Sequence, residues 1–392
     1  MIRQEQIPHI LKYMGGKREM LDCINQAITE MRIESSDLCD LFAGTAIVSY
    51  AFSDSFNVIS NDIQAYSSIF CNTYFSDYSA FGDPKRVSEQ IINECNTAAN
   101  TRYSLFSDLV VDYHEGISFS AMKKKEDEQM ALINKDFGRG FSFFMQSYSG
   151  TYWSFEQCLW IDAIRSVAEL YSESRLFYLI MSSLVFAMSY CAQSTGHFAQ
   201  FRSLTSSNYK SVLLYRQKSI ASLFQKKLYE LLNALNRPLQ HGFRSSSLDY
   251  LDCISTLRPG TIVYADPPYS SVHYSRFYHV LETLVRYDHP KLEYKGRYRE
   301  GRYQSPFDQK SGVQCAFQRL FDAIRQQKCH LLLSYSDNAL LSIDQLNKIA
   351  MNELEDDYSI QFHSRDYKHK KMGRSGEYQM NVHELLIAYK YK

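Results

Sequence analysis

Asp266, Pro267, Pro268 and Tyr269 follow one another at the end of Thr261 to Tyr269, TIVYADPPY, and carry the parts of one kind of chemistry. A carboxylate acceptor stands beside a carbonyl that two prolines hold rigid, because each proline fixes φ and removes an N–H. The Tyr269 ring adds a flat stacking surface. This set suits a planar base with an exocyclic amino group, which donates two hydrogen bonds while its ring face covers the tyrosine. Such a nitrogen is a poor nucleophile while its lone pair is delocalised into the ring. Two acceptors that draw its hydrogens out of plane localise the pair, which can then attack an activated methyl carbon. No Cys or His nucleophile is needed, and a preplaced carboxylate stabilises the positive charge that develops. The competing reading is an ordinary surface Asp-Pro-Pro turn.

Such residues need a rigid element to hold them. Thr261, Ile262, Val263 and Tyr264 are β-branched or aromatic, the composition of a buried strand, and Arg258-Pro259-Gly260 before them is a turn signal. Asp266 then falls at the carboxyl end of a strand, the edge where open α/β sheets bind ligands. Nearer the N-terminus, Asp37 to Thr45 reads as a short apolar strand breaking into a glycine turn, followed by an apolar helix from Ala46 to Phe52. That is the first unit of a nucleotide-binding α/β sheet. The missing GxGxxG leaves room for a ligand without a pyrophosphate. A second strand, Phe56 to Ser60, ends in Asn61-Asp62, where an acid suits the two hydroxyls of a ribose or caps the next helix. Lys12 to Lys17, KYMGGK, leads into an amphipathic helix through Met20, Leu21, Ile24 and Ile28. Its Gly-Gly pair either lets backbone approach a ligand or makes a plain turn.

Length and composition bound the rest. A chain of 392 residues allows two domains, and 45% hydrophobic with 22% charged residues describes an ordinary globular protein. Thirty Tyr and 24 Phe fit base stacking and a large core equally. Net charge is zero, so any nucleic-acid contact must rest on local clusters. The nine cysteines show no CxxC spacing, so neither a zinc site nor a disulfide framework is expected, and reduced thiols are the plain reading. MIRQEQIPHI lacks the apolar core of a signal peptide. Leu176 to Gln200 contains no Asp, Glu, Lys or Arg, but its serines and polar end point to a buried helix and not a membrane span.

KYMGGK, then DLFAGTA, then SND after the next strand, a long insert, and finally ADPPY resemble, in that order, the Dam-like (D12 class) family of S-adenosylmethionine-dependent DNA adenine-N6 methyltransferases. The resemblance covers roughly residues 8 to 75 and 241 to 392. It implies an α/β fold, a Rossmann-like seven-stranded methyltransferase sheet with an inserted, mainly helical target-recognition domain. The expected boundaries are 1–75 and 241–392 for the catalytic domain and 76–240 for the insert. It implies S-adenosyl-L-methionine as cofactor, held by Tyr13 and Lys17, by the loop Phe42, Ala43, Gly44 and Thr45 at the methionine moiety, by Asp40 at its amino group and by Asp62 at the ribose. Asp249 is the residue expected to read the cofactor adenine, with a helix cap as its alternative. Tyr13 stands where relatives often carry Trp.

For DNA contact the candidates are Lys12 and four clusters. Ser194 to Lys210 lies between two helices, resembles the loop that relatives push into DNA, and offers His197, Gln200, Arg202 and Lys210. The polar loop after Tyr269 offers His273 and Tyr274, whereas His279 is expected in the helix core. Lys291 to Arg302, KLEYKGRYREGR, offers Arg297 and Arg299 to phosphates. Arg365 to Arg374 offers Lys370 and Lys371, or is an exposed hairpin whose lysines block edge pairing. The aromatic run Phe141 to Trp153 is expected to wall the target pocket. Lys123 to Glu128 is expected to be a solvated helix face or loop. The apolar stripe from Ile220 to Leu235 is core.

The expected activity is methyl transfer from S-adenosylmethionine to N6 of a flipped-out adenine in duplex DNA. The alternatives are transfer to cytosine N4 or RNA, or a catalytically silent DNA-binding defence subunit. Double-stranded DNA is the expected partner, with a cognate restriction endonuclease or defence-system subunit as a further candidate. No metal and no membrane contact are expected, and the location is cytoplasmic, at a bacterial or phage nucleoid.

Overall fold

The structure is a computed structural model that describes residues 1–11, 13–138, 140–269, 273–369 and 380–392. In chain order its main elements begin with α1 (Leu21–Glu30), β1 (Asp37–Asp40), α2 (Ile47–Ala51), β2 (Asn57–Asn61) and α3 (Ala65–Tyr74). A helical stretch follows: α4 (Pro84–Phe106), α5 (Phe119–Met130), α6 (Phe143–Tyr148), α7 (Phe155–Leu170), α8 (Leu176–Cys191), α9 (Tyr209–Arg216) and α10 (Ile220–Ala234). Then come β3 (Phe243–Ser246), α11 (Tyr250–Ser255), β4 (Ile262–Ala265), α12 (Tyr274–Arg286), β5 (Leu292–Glu293), β6 (Tyr298–Arg299) and α13 (Val313–Gln326). The chain closes with β7 (His330–Ser336), α14 (Ile343–Leu354), β8 (Tyr358–His369) and β9 (Met380–Tyr391).

Seven strands form one sheet in the order β3-β2-β1-β4-β7-β9-β8, and β5 and β6 form a separate antiparallel hairpin. Strands β3, β2, β1, β4 and β7 run parallel, while β9 runs antiparallel between β7 and β8. This is the methyltransferase-type sheet the motifs implied. The order reverses between β1 and β4, and the crevice opened there at the strands' carboxyl ends is where doubly wound sheets bind ligands.

Alternate residues of the central strands feed two cores, which is why those strands read as unbroken apolar runs. Leu38, Ile262, Tyr264 and Leu332 face one side with α1, α2, α3 and α12. Cys39, Val263, Ala265, Leu331 and Leu333 face the other with α11, α13 and α14. On the first side, buried apolar side chains run continuously into α4, α6, α7, α8 and α10, while α5 and α9 share a small separate core around Met122, Val212 and Leu213. Thr73 of α3 fixes that junction by hydrogen-bonding both Ser182 Oγ (2.7 Å) and the Tyr178 carbonyl (2.8 Å) of α8. The Leu176 segment is the buried helix expected, and the Ile220 stripe packs into the core. Lys123 and Asp127 of α5 pair on its exposed face, but Glu126 is buried and holds Arg216 at 2.7 Å.

The aromatic run from Phe141 departs from expectation. Tyr148, Tyr152 and Trp153 are wholly buried between α6, α7 and α8, and Trp153 Nε1 donates to the Met188 carbonyl at 3.1 Å. They build the core of the helical layer and do not wall the pocket. His279 is buried as expected, with Nε2 2.8 Å from the Phe198 carbonyl and its pKa pushed down to about 3 by burial.

Candidate active site

The switch between β1 and β4 opens into a cleft of about 830 Å³, its mouth included, which Asp266, Pro267, Pro268 and Tyr269 line together with Tyr13, Phe42, Gly44 and Asp62. Motifs more than two hundred residues apart thus share one wall, because β1 and β4 are register neighbours and Leu41 N–H donates to the Tyr264 carbonyl at 2.9 Å.

The glycine turn after β1 is shaped by its neighbour strand. Ala43 N–H donates to the Asn61 carbonyl at 2.9 Å, and Gly44, at φ +53°, donates to Asp62 Oδ2 at 2.8 Å. The other oxygen of Asp62 accepts Gln64 N–H at 2.9 Å. Burial pushes the Asp62 carboxyl up to about 6, with these two amides pulling it down. Tyr13 lies over the turn. A Cβ on Gly44 would stand 3.1 Å from Tyr13 Cε1, while the Tyr13 ring stacks on Tyr278 at 4.4 Å and its hydroxyl meets that of Tyr66 at 3.0 Å.

Asp266 has a buried counter-ion. Lys17 Nζ lies 3.2 Å from Asp266 Oδ1 and 3.2 Å from Glu384 Oε1 on β9, and Lys17 is 5% exposed. Burial opposes the lysine charge, but Asp266 first, then Tyr269 and Glu384, hold its pKa well above the ordinary value. Asp266 is pushed up to about 6 by burial, with Lys17 drawing it down and Glu384 raising it further. Lys17 therefore does not line the cleft as a cofactor contact; it is spent on the carboxylate behind the cleft wall.

Two further assignments are corrected. Asp40 is buried at the end of β1, where Oδ2 accepts both Ser49 N–H (3.0 Å) and Ser49 Oγ–H (2.7 Å), so it faces α2 and not the cleft. Asp249 caps α11 by accepting Leu251 N–H at 3.0 Å, and its neighbours Leu248 and Tyr250 line the cleft in its place. Ala43 and Thr45 shape the turn without lining the cleft. Tyr274 lines it, whereas His273 turns to Asp308 at 2.8 Å and Asp308 lines the cleft. Asn61, Tyr66, Asp308 and Glu384 were not foreseen. Only Asn61 had a local signal, lying inside the SND motif; its side chain bridges the Leu41 and Leu248 carbonyls at 3.3 and 3.1 Å.

The basic candidates divide. His197, Gln200 and Arg202 line a shallow surface depression with Arg276, Phe277 and Lys295. The β5–β6 hairpin closes on that loop: a Cβ on Gly296 would lie 2.6 Å from the Ala199 carbonyl, and the Tyr298 hydroxyl donates to the same oxygen. Arg297 and Arg299 are not free for phosphates. Arg297 Nε donates to the Ser147 carbonyl at 2.9 Å, and Arg299, 10% exposed, pairs with Asp288 at 2.6 Å. Lys210 is exposed in the first turn of α9, outside the depression. Lys12, Lys370 and Lys371 lie outside the described residues.

Residues 13–324 match the family model of the D12 class N6 adenine-specific DNA methyltransferases. The chain belongs to that family. Among curated proteins it is 26% identical over 350 residues to modification methylase LlaI of Lactococcus lactis subsp. lactis, covering 87% of this chain and 48% of that protein. It is 25% identical over 395 residues to type II methyltransferase M.FokI of Planomicrobium okeanokoites, covering 96% and 52%. With type II methyltransferase M.NlaIII of Neisseria lactamica it shares 26% over 344 residues, 86% of this chain and 87% of that one. The chain thus spans about half the length of the first two.

Membership in this methyltransferase family implies S-adenosylmethionine as methyl donor, and the cleft fits it. Each Asp62 oxygen accepts one amide and retains a lone pair for a diol, and Phe42 and Tyr13 offer ring faces. Gly44 lines the cleft because Tyr13 can sit in the space a Cβ would take, and Asp266 supplies negative charge for a cationic donor. Among the described residues no group of three His, Cys, Asp or Glu could hold a metal ion, and no helix is long and apolar enough to cross a membrane.

Proposed function

We propose that this chain methylates N6 of specific adenines in duplex DNA, using S-adenosylmethionine held by Tyr13, Phe42, Gly44 and Asp62. The observation that carries this reading is the juxtaposition of Asp266, Pro267 and Tyr269 with the Gly44 turn and Asp62 in one cleft at the sheet's switch point. The adenine leaves the stack at a cost of roughly a few kcal/mol and is received against Tyr269 and Tyr274, where stacking worth about 1–3 kcal/mol offsets much of it. The Asp266 carboxylate and the Pro267 carbonyl accept hydrogen bonds from the two amino hydrogens, localise the nitrogen lone pair and stabilise the positive charge formed as it is methylated, after which the nitrogen releases one of those protons to solvent. The bound cofactor supplies an electrophilic methyl group and a neutral thioether leaving group. Lys17 favours the ionised form of Asp266 and holds its Oδ1, so alignment precedes reaction.

The segment 76–240 supplies most of the target-recognition surface on the 1–75 and 241–392 catalytic frame. His197, Gln200 and Arg202, with Arg276 and Lys295 beside them, meet the DNA. The names of the relatives, modification methylases and type II methyltransferases, support a role beside a restriction endonuclease, in the cytoplasm of a bacterium. Asp266 before the prolines favours adenine over cytosine N4.

The test is to incubate the protein with methyl-free genomic DNA and S-adenosylmethionine and to map modified bases by sequencing. N6-methyladenine in one sequence context is expected. Asp266→Ala is expected to lower transfer by roughly two to three orders of magnitude or more, the scale of losing one preorganised electrostatic contact, while cofactor binding stays measurable. Full activity in that variant refutes the assignment.

A further inference from the structure

We propose that Glu384, on the antiparallel strand β9, is a positioning residue for methyl transfer: it divides the Lys17 charge with Asp266 and receives the Tyr269 hydroxyl. The proposal rests on the adenine-methylating reading above.

Two catalytic-motif residues reach Glu384, a residue 115 positions or more away in sequence. Lys17 Nζ is equidistant, at 3.2 Å, from Glu384 Oε1 and Asp266 Oδ1. Tyr269 Oη lies 3.5 Å from the same Glu384 oxygen. Glu384 is 2% exposed and Lys17 5%, so water screens little of this arrangement. An ammonium held by Asp266 alone would spend its charge on the carboxylate that must grip the amine. Shared with Glu384, it anchors Asp266 while leaving that carboxylate a stronger acceptor. The hydroxyl contact sets the far end of the Tyr269 ring, whose face is offered to the base.

The groups that act on the Asp266 charge come from every neighbouring element. They are Lys17 from the turn before α1, Glu384 from β9, Asp40 from β1, Ser334 from β7, Tyr264 from its own strand, and Tyr269 and Tyr274 beyond it. Arg365 of β8 stands opposite Glu384 in the strand register. Of these, Lys17 and Glu384 have the largest effects after burial, and they act in opposite directions. Removing the glutamate charge must therefore ease Asp266 ionisation, and removing the lysine must hinder it. A residue that merely supported the fold would not produce opposite shifts.

The test titrates the Asp266 carboxyl by NMR in cofactor-free protein with carboxyl-labelled aspartate, its signal identified by loss in Asp266→Asn. Single-turnover methylation of duplex DNA against pH is measured beside it. In Glu384→Gln the midpoint is expected to fall by about one pH unit, and in Lys17→Gln to rise, with the acid limb of methylation following each. The methylation rate of Glu384→Gln at neutral pH is expected to drop at least tenfold with cofactor affinity changed less. Glu384→Asp, which keeps the charge, is expected to hold the midpoint near the wild-type value and serves if Glu384→Gln folds poorly. An unmoved midpoint in Glu384→Gln overturns the proposal, as does a moved midpoint with an unmoved acid limb. Midpoints that shift as stated in the variants, beside a wild-type protein that leaves adenine unmodified, overturn the functional reading and leave the charge sharing in place.

Discussion

Gly44 shows how a single side chain, by its absence, connects the sheet to the cleft. Its φ of +53° lies in the left-handed region, its N–H holds Asp62, and the space a Cβ would take is filled by Tyr13. Gly44→Ala should cost about 1–2 kcal/mol for the left-handed backbone and force the Tyr13 ring to give by a few tenths of an ångström. A lower melting temperature together with weaker S-adenosylmethionine binding by calorimetry is expected. Unchanged affinity would mean the turn does not hold the cofactor. Residue chemistry was readable in part before any fold was known. Gly44, Asp62, Asp266 and Tyr269 were named from local motifs and lie in one cleft, because turns and strand ends leave strong local signatures. Asp40 and Asp249 were acids at equally plausible places, yet one satisfies Ser49 and the other caps α11. Only packing distinguishes such acids from Asp62.

At the scale of elements, α12 joins the cleft to the surface proposed for DNA. It begins with Tyr274 in the cleft, and within one turn Arg276 and Phe277 reach the depression formed by the 195–203 loop and the β5–β6 hairpin. Lys295 and Arg276 are exposed there, whereas Arg299 is largely covered and paired with Asp288. Replacing Lys295 or Arg276 by Ala should weaken DNA binding similarly for all sequences and reduce the slope of log affinity against log salt by about one each. Arg299→Ala should leave that slope unchanged. Titration of a labelled duplex at several salt concentrations measures this, and equal slopes for all three variants would place the DNA elsewhere. The sequence pointed to the loop and the hairpin as basic segments. It could not show that Arg297 and Arg299 of KLEYKGRYREGR are consumed by Ser147 and Asp288, because these partners lie on α6 and just past α12.

For the whole molecule, placing carboxylates at the rim of a buried sheet costs stability in a pH-dependent way. Asp40 is pushed up from 3.8 to about 7 by burial, and Asp62 and Asp266 to about 6. Below pH 4 the folded and unfolded chains both hold these protons. As pH rises from about 4 to 7 the unfolded chain loses them first, so stability falls across that window and levels off above it. Lys17, raised above its ordinary value, contributes stability lost only at alkaline pH and does not alter the trend. Asp40→Asn, which lies outside the cleft, is therefore expected to gain in melting temperature relative to wild type between pH 5 and pH 8. A difference that stays flat with pH would show that Asp40 is not held protonated.

By itself the sequence determined what neighbours along the chain decide: the apolar strands, the glycine turn, the rigid proline pair, and hence the family's sheet and its reactive edge. These follow from backbone restriction and from a periodicity of burial that any local window records. The tertiary structure alone decided which charges remain available. Lys17, Asp266 and Glu384 come together across 367 positions of chain, and the aromatic run from Phe141 became core, since a ring's composition is the same in a pocket wall and in a packed interior. Electrostatic pairing and desolvation depend on distances in space, which only the strand order β1, β4, β7, β9 sets.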